Sequence, residues 1–233
     1  MIEHTVSAYD EDLNRLTVDV ARLGRLAIDQ VHNANNAIAE LDEAKALEVV
    51  RADAQLDILE AEIEQSAART IALRQPMAID LRQILAAMKI ASNLERCGDL
   101  AKSIAKRAVL IAAEERVPDV VGSIHRMGEL VVARLRQVLE ADAANDLDKA
   151  TLVWRRDQEV DEIYSSLFRE LLTYMMADPK AITPCAHMLY VAKNLERVGD
   201  HATNIAEILN YRITGEPTPG SDRPKWDSLT APS

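Results

Sequence analysis

The heptapeptide NLERCGD (Asn93 to Asp99) returns as NLERVGD (Asn194 to Asp200), 101 residues later. The repetition extends well beyond this string. At an offset of 104 residues Val20 meets Ile124, Leu23 meets Met127, Val31 meets Leu135, Asp53 meets Asp157 and Asp57 meets Asp161. The difference between the two offsets falls in a turn, where an insertion or deletion costs little. A chain built this way folds as two copies of one unit, and the period inside the unit sets the fold class. Leu13, Leu16, Val20, Leu23, Ala27, Val31, Ala34 and Ile38 recur at intervals of three and four, the apolar stripe of a long helix. Val49, Ala52, Leu56, Leu59, Ile63 and Ala67 predict a second helix, and a third runs from about Met77 to Glu114. The expected fold is all-α: two tandem, pseudo-symmetric three-helix bundles with six long helices. Residues 1–115 form the first unit and 116–213 the second, with 214–233 a flexible tail holding four of the eight prolines. Pro76 and Pro184 read as first-turn prolines, with Thr183 an N-cap for the last helix.

Composition narrows the function. A net charge of −11 and 3% aromatic residues argue against a nucleic-acid binder, which needs cations for phosphates and rings for bases. Cys97 and Cys185 make no disulfide framework and no structural zinc site. No signal peptide opens the sequence, and no apolar run is long enough to cross a membrane, so the expected location is the cytoplasm.

The carboxylates carry the information. On a helical wheel Glu95 and Asp99 fall inside the apolar stripe of Leu81, Ile84, Met88 and Ala91, and Glu196 and Asp200 do the same in the second copy. Asp53 and Asp57 share a face of the second helix, as do Asp157 and Asp161. Glu60 and Glu64 extend the acidic edge in the first copy, where the second has Tyr164 and Phe168. If the second and third helices are neighbours, each unit gathers four carboxylates, which raise one another's pKa until something compensates. A bound cation such as Mg²⁺, Mn²⁺, Ca²⁺ or iron suits an all-oxygen donor set, whereas zinc favours His or Cys. Charge pairing is the other reading. Lys102 lies one turn beyond Asp99, but Thr203 stands at its repeat position, and Arg96 and Arg197 point about 100° away from the acids. The residues alone leave both readings open. Gly98 and Gly199, mid-helix at a cost of ~1 kcal/mol each, mark close approach by a helix or ligand. His201, directly after Asp200, is expected as a surface group or one that supports the acids from behind, with metal ligation the lesser alternative, and Cys97 as a small core residue. No Glu-x-x-His string supports a ferritin-like di-metal oxidase, and no Walker A string supports a phosphate cradle.

NLERCGDLAKSIAKRA and NLERVGDHATNIAE, with a DxxxD upstream of each, resemble the paired signatures of the PhoU family, as do RQPMAIDLR (Arg74 to Arg82) and the opening EHTVSAYDEDLNRL. The resemblance covers about residues 1–213. It implies multinuclear iron clusters, or another divalent metal (Mg, Mn or Zn), on Asp53, Asp57, Glu95 and Asp99, and on Asp157, Asp161, Glu196 and Asp200. It also implies a non-enzymatic negative regulator of the phosphate-starvation response that restrains phosphate uptake. Such a protein links the nucleotide-binding subunit of the phosphate ABC transporter (PstB) to the sensor histidine kinase (PhoR). A homodimer, held at the inner membrane face through its partners, is the implied assembly. A metal-free helical scaffold serving a different transporter or kinase is the alternative. The second copy has DPKAITPCAHML in place of the RQPxAxDLR turn, so the two bundles are expected to differ there.

Overall fold

The computed structural model describes residues 2–114 and 117–218, with side chains from Tyr9 onward. All regular structure in these residues is helical: α1 (Ile2–Glu40), α2 (Glu43–Ala52), α3 (Ala54–Arg74), α4 (Ile79–Ala112), α5 (Val121–Ala144), α6 (Leu147–Arg155), α7 (Gln158–Ala177) and α8 (Ile182–Thr214). A 3₁₀ turn, Pro179–Ala181, precedes α8. The architecture is the expected pair of three-helix bundles, with one correction. The second rod of each unit is broken, at Asp53 and again at Asp157, into a short helix and a longer one. The apolar spacing runs straight through the break, so it left no mark in the pattern. At each break the backbone tightens to i→i+3 bonding, Leu56 N–H to Asp53 O at 2.9 Å and Val160 N–H to Asp157 O at 3.2 Å. The stretch beyond Thr218, most of the expected tail, lies outside the described residues.

Local chemistry repeats with the fold. Asp42 and Asp146 cap α2 and α6, each accepting at 3.0 Å from the backbone N–H three residues on. The turns before the third rods differ, as the diverged sequence requires. Gln75 and Ala78 turn with positive φ in the first unit, whereas Asp178 caps the 3₁₀ turn from Lys180 N–H in the second. Pro76 lies in the turn before α4, and Thr183 lies inside α8, which starts at Ile182; neither plays the expected first-turn or capping part.

The units do not pack side by side as independent cores. Leu23, Ile38, Ile63, Ile104, Met127 and Leu195 belong to one continuous buried cluster spanning both. The contact runs along α1 against α5 and along α4 against α8. Both pairs are antiparallel. Asn93 meets His201 while Arg107 meets His187, so α4 and α8 run in opposite directions. On the other pair, a Cβ on Gly24 would meet Leu139 and a Cβ on Gly128 would meet Asn35. At the 104-residue offset Gly128 is the repeat of Gly24 and Leu139 the repeat of Asn35. Each glycine therefore seats the residue equivalent to its partner's, the signature of a pseudo-two-fold axis across the helices. Ridges pass this closely only where one side lacks a side chain.

Candidate metal centres

The two breaks decide where the acids go. Asp53 ends α2 and, at 3% exposure, is buried against α4; Asp157 occupies the same joint between α6 and α7. Each α2–α3 or α6–α7 rod lies along α4 or α8, so the DxxxD acids face the LERxGD acids. The inference that the second and third helices are neighbours holds in both units. Gly98 accounts for the first approach: a Cβ there would stand 2.5 Å from Leu56 Cδ2. Gly199 is looser, with Val160 at an ordinary 3.6 Å.

The first acid of each unit has an internal partner. Lys102 Nζ pairs with the carboxylate of Asp53, across helices, and not with Asp99 as its spacing suggested. Lys102 is four residues beyond Gly98, and the close α3–α4 approach puts Asp53 within its reach. In the second unit Thr203 Oγ1 donates to Asp157 Oδ1 at 2.8 Å. The compensating cation there comes from the opposite side. Arg134, 3% exposed on α5, donates from Nη1 to Asp157 O at 3.3 Å and from Nη2 to Arg156 O, and pairs with Glu159 at 3.2 Å. Gln30 stands at the repeat position of Arg134. Each joint thus receives one cation, from α4 in the first unit and from α5 in the second, with a neutral residue at the vacated position. The sequence reading missed Arg134; a charged residue inside the apolar stripe of α5 was its one available signal.

The remaining acids carry surplus charge. Glu95, its side chain 14% exposed, has its pKa pushed up to about 7, first by burial, then by the charges of Asp99, Glu60 and Asp57 against a partial offset from Arg96. Glu60, half-buried, is itself raised by burial and by Glu64, and its charge acts on Glu95. In the second unit Asp200 keeps contact with solvent, yet its carboxyl, partly enclosed beside Glu196, Asp157 and Asp161, is pushed up to about 7 by lost hydration and by those charges. Asp161 rises for the same reasons. Lys193 offsets part of this charge. It pairs with Glu196 at 2.7 Å and stands 5.3 Å from the Tyr164 ring, where the first unit has Ser92 and Glu60. His201 is held neutral, its pKa lowered to about 4 by burial and by Arg197 and Arg96. Asn93 Nδ2 donates to Lys89 O at 2.8 Å, which fixes the amide and makes Oδ1 the acceptor for His201 Nδ1–H at 2.8 Å. Cys97 is a fully buried core thiol, its pKa raised by that burial.

Among the described residues no three Asp, Glu, His or Cys side chains converge closely enough to share a cation as they stand. The donor chemistry nevertheless fits a hard or borderline divalent ion: oxygen ligands only, with more negative charge than the neighbouring Lys and Arg cancel. Asp57 and Asp200 reach solvent, and the Asp99 side chain is 41% exposed and paired with Arg96, so a cation drawing on them competes with water and with Arg96. A cation on Asp53 has to displace the Lys102 ammonium.

The surplus has a measurable sign. A carboxyl whose folded pKa exceeds its unfolded value binds more protons folded than unfolded, so its contribution to stability falls as pH rises between the two values. For Glu95 the window runs from 4.5 to about 7. His201 acts oppositely between about 4 and 6.5, so the comparison is made against a variant. In chelator, Glu95→Gln should match the parent at about pH 4, below the window, and exceed it at pH 8 by about 1–2 kcal/mol, discounted for solvent screening. Urea unfolding at both pH values measures it; an equal difference at the two would show that Glu95 is an ordinary solvated acid.

Fold and site together define a class: an all-α protein of two pseudo-equivalent bundles, each with a surplus of carboxylates at the joint of its second rod. No helix among the described residues is long and apolar enough to cross a membrane. The family model described as PhoU domain matches residues 20–108 and again 124–209. A phosphate-specific transport system accessory protein PhoU homolog of Caulobacter vibrioides (strain NA1000 / CB15N) is 54% identical over 99% of this chain and 100% of its own. The homolog of Rhizobium meliloti (strain 1021) is 46% identical over 96% and 94%. Among solved structures, PhoU from Pseudomonas aeruginosa superposes with a TM-score of 0.87 at 36% identity, covering 89% of this chain and all of that one. The phosphate transport system regulatory protein PhoU from Streptococcus pneumoniae gives 0.83 at 31% identity, covering 90% and 98%. The chain belongs to the PhoU family.

Proposed function

We propose that the chain is a cytoplasmic adaptor that holds divalent metal on its two carboxylate clusters and acts as a negative regulator of the phosphate-starvation response. In this reading it joins the nucleotide-binding subunit of the phosphate ABC transporter to the sensor histidine kinase and restrains phosphate uptake. The names of its relatives support the link to phosphate transport. The observation that carries the adaptor is the placement of exposed apolar side chains. Leu73, Met77 and Ile79 stand 65%, 81% and 66% exposed at the α3–α4 turn, and Met176 and Ile182 stand 86% and 49% exposed at the α7–α8 turn. Because α4 and α8 are antiparallel, these turns lie at opposite ends of the molecule. Each unit thus presents one apolar tip, and the different sequences of the two tips suit two different partners. Signalling follows only if the adaptor binds one state of a partner more tightly than another.

Asp57, Glu95 and Asp99 with Asp53, and Asp161, Glu196 and Asp200 with Asp157, are the residues that would hold metal, which when bound would neutralise the surplus charge. Metal content of untagged, chelator-free protein, by plasma mass spectrometry, tests this directly. More than one divalent ion per chain is expected, lost when Glu95, Asp99, Glu196 and Asp200 are changed to Ala together. Partner capture by the solubilised transporter and by the kinase's cytoplasmic region is then compared for loaded and stripped protein. Background metal in both samples, with partner binding intact, would replace this reading with a metal-free scaffold whose joint acids are served by Lys102, Thr203 and Arg134 alone.

A further inference from the structure

The repeated LERxGD string has a second face, on the side of its arginine. Its glutamate and aspartate turn toward α3 or α7, and its arginine lies about 100° around the helix. In the antiparallel register of α4 and α8, Asn93 faces His201 and Arg107 faces His187. The positions that face their own repeat equivalents are therefore 96–97 and 197–198. Cys97 and Val198 are fully buried, so Arg96 and Arg197 are the pair left at the surface on the pseudo-two-fold axis.

They line one cleft. It has a volume of about 320 Å³ and walls of Arg96, Lys102, Ser103, Lys106, Arg197 and His201, with Asp99 as its one carboxylate. Four cations face one acid, in a chain whose net charge is −11. Internal pairing absorbs only part of this. Arg96 reaches Asp99 at 3.3 Å and Glu95 at 3.7 Å, and Lys102 holds Asp53. Among the described residues no carboxylate stands within ion-pair distance of Arg197 or Lys106. Cations gathered in a concavity repel one another and focus a positive potential into it. The Arg197 guanidinium, the Lys106 ammonium and the Ser103 hydroxyl, beside the Arg96 fork that also reaches Asp99, are donors that match a tetrahedral oxyanion, which accepts bidentate bonds from arginine. The volume sits at the lower end of small-ligand sites, large enough for one phosphate or a short phosphate chain and too small for a folded partner.

We propose that this α4–α8 cleft is a single binding site for a small phosphate-type oxyanion, shared by the two repeats. It borders the first carboxylate cluster through Asp99 and needs no metal. Inorganic phosphate and the phosphate chain of a nucleotide present the same chemistry, and the experiment separates them. The full-length protein is titrated calorimetrically in chelator and low salt with inorganic phosphate, then with tripolyphosphate, then with chloride. The expected result is saturable binding of one ion per chain, absent for chloride and weakened about tenfold by each of Arg197→Gln and Lys106→Gln. Both residues are exposed and outside the core, and circular dichroism checks that the variants keep their helix content. Tighter binding of tripolyphosphate assigns the site to a phosphate chain, and equal or weaker binding assigns it to inorganic phosphate. The proposal is overturned by no saturable heat with either probe, by binding unchanged in both variants, or by two ions per chain. It is overturned as well by binding that appears only after a divalent ion is restored, which would place the anion on the carboxylate clusters.

Discussion

Gly128→Ala should lower the stability of the protein by about 3 kcal/mol, a drop of about 9 °C in melting temperature for a chain of this length. A Cβ at this position would stand 2.1 Å from Asn35 Oδ1 and 2.2 Å from its Cγ. Asn35 is 1% exposed and cannot swing into solvent. Its Nδ2 donates to His125 O and contacts His125 Nδ1, both at 3.1 Å, so expelling the amide also breaks the polar link between α1 and α5. Two costs add: steric overlap in a close-packed seam, and buried polar groups without partners. Gly24→Ala at the repeat position is the internal control. There the clash is with Leu139 Cδ1 at 2.5 Å, the far end of a flexible, half-buried apolar side chain that leaves no polar group unpaired if it moves. Thermal unfolding followed by circular dichroism should separate the two variants clearly. Equal effects would mean that the α1–α5 seam relaxes in a way the static packing does not show.

Arg134→Met should cost about 2–4 kcal/mol. Methionine keeps most of the volume and none of the donors, so two carbonyls at the break between α6 and α7 lose their partner. Asp157 loses the nearby guanidinium at the same time. Glu159 is half exposed and returns to water at little cost, so the loss is concentrated at the joint. Gln30→Met, the same change at the repeat position, should be nearly neutral, because Gln30 Oε1 has no hydrogen-bond partner. Urea unfolding of both variants gives the comparison. A mild effect at Arg134 would show that water reaches the α6–α7 joint and replaces the guanidinium.

The same two positions show how far the amino-acid pattern can be read. Helix periodicity depends on which residues are apolar, and the second rods keep their apolar spacing across Asp53 and Asp157, so the breaks were invisible. What stops the helix is satisfied from outside it, by Lys102 in one unit and by Thr203 and Arg134 in the other. Those partners lie 22 to 49 residues away in sequence, and no local rule connects them. Lys102 illustrates the error that local spacing invites. One turn from Asp99 on the same helix, it reaches instead across to Asp53, because Gly98 lets α3 come close enough for the burial of Asp53 to demand a charge. Glu60 is an edge residue by spacing but half-buried beside Glu95, because only the packing of α3 on α4 shows which side of the acidic row is enclosed.

By itself the sequence determined the class and the doubling, and it marked the eight acids as candidates. Apolar spacing encodes helices through the 3.6-residue turn, and a repeated pattern encodes a repeated unit whatever the arrangement of the units. Tertiary structure alone decided that the units oppose one another about a pseudo-two-fold axis, that their cores merge, and that the paired arginines meet in one cleft. Those outcomes depend on contacts between residues about a hundred positions apart, such as Asn35 with Gly128 and Asn93 with His201. Such contacts follow from shape and from charge brought together by packing, and neither is a property of any short stretch of chain.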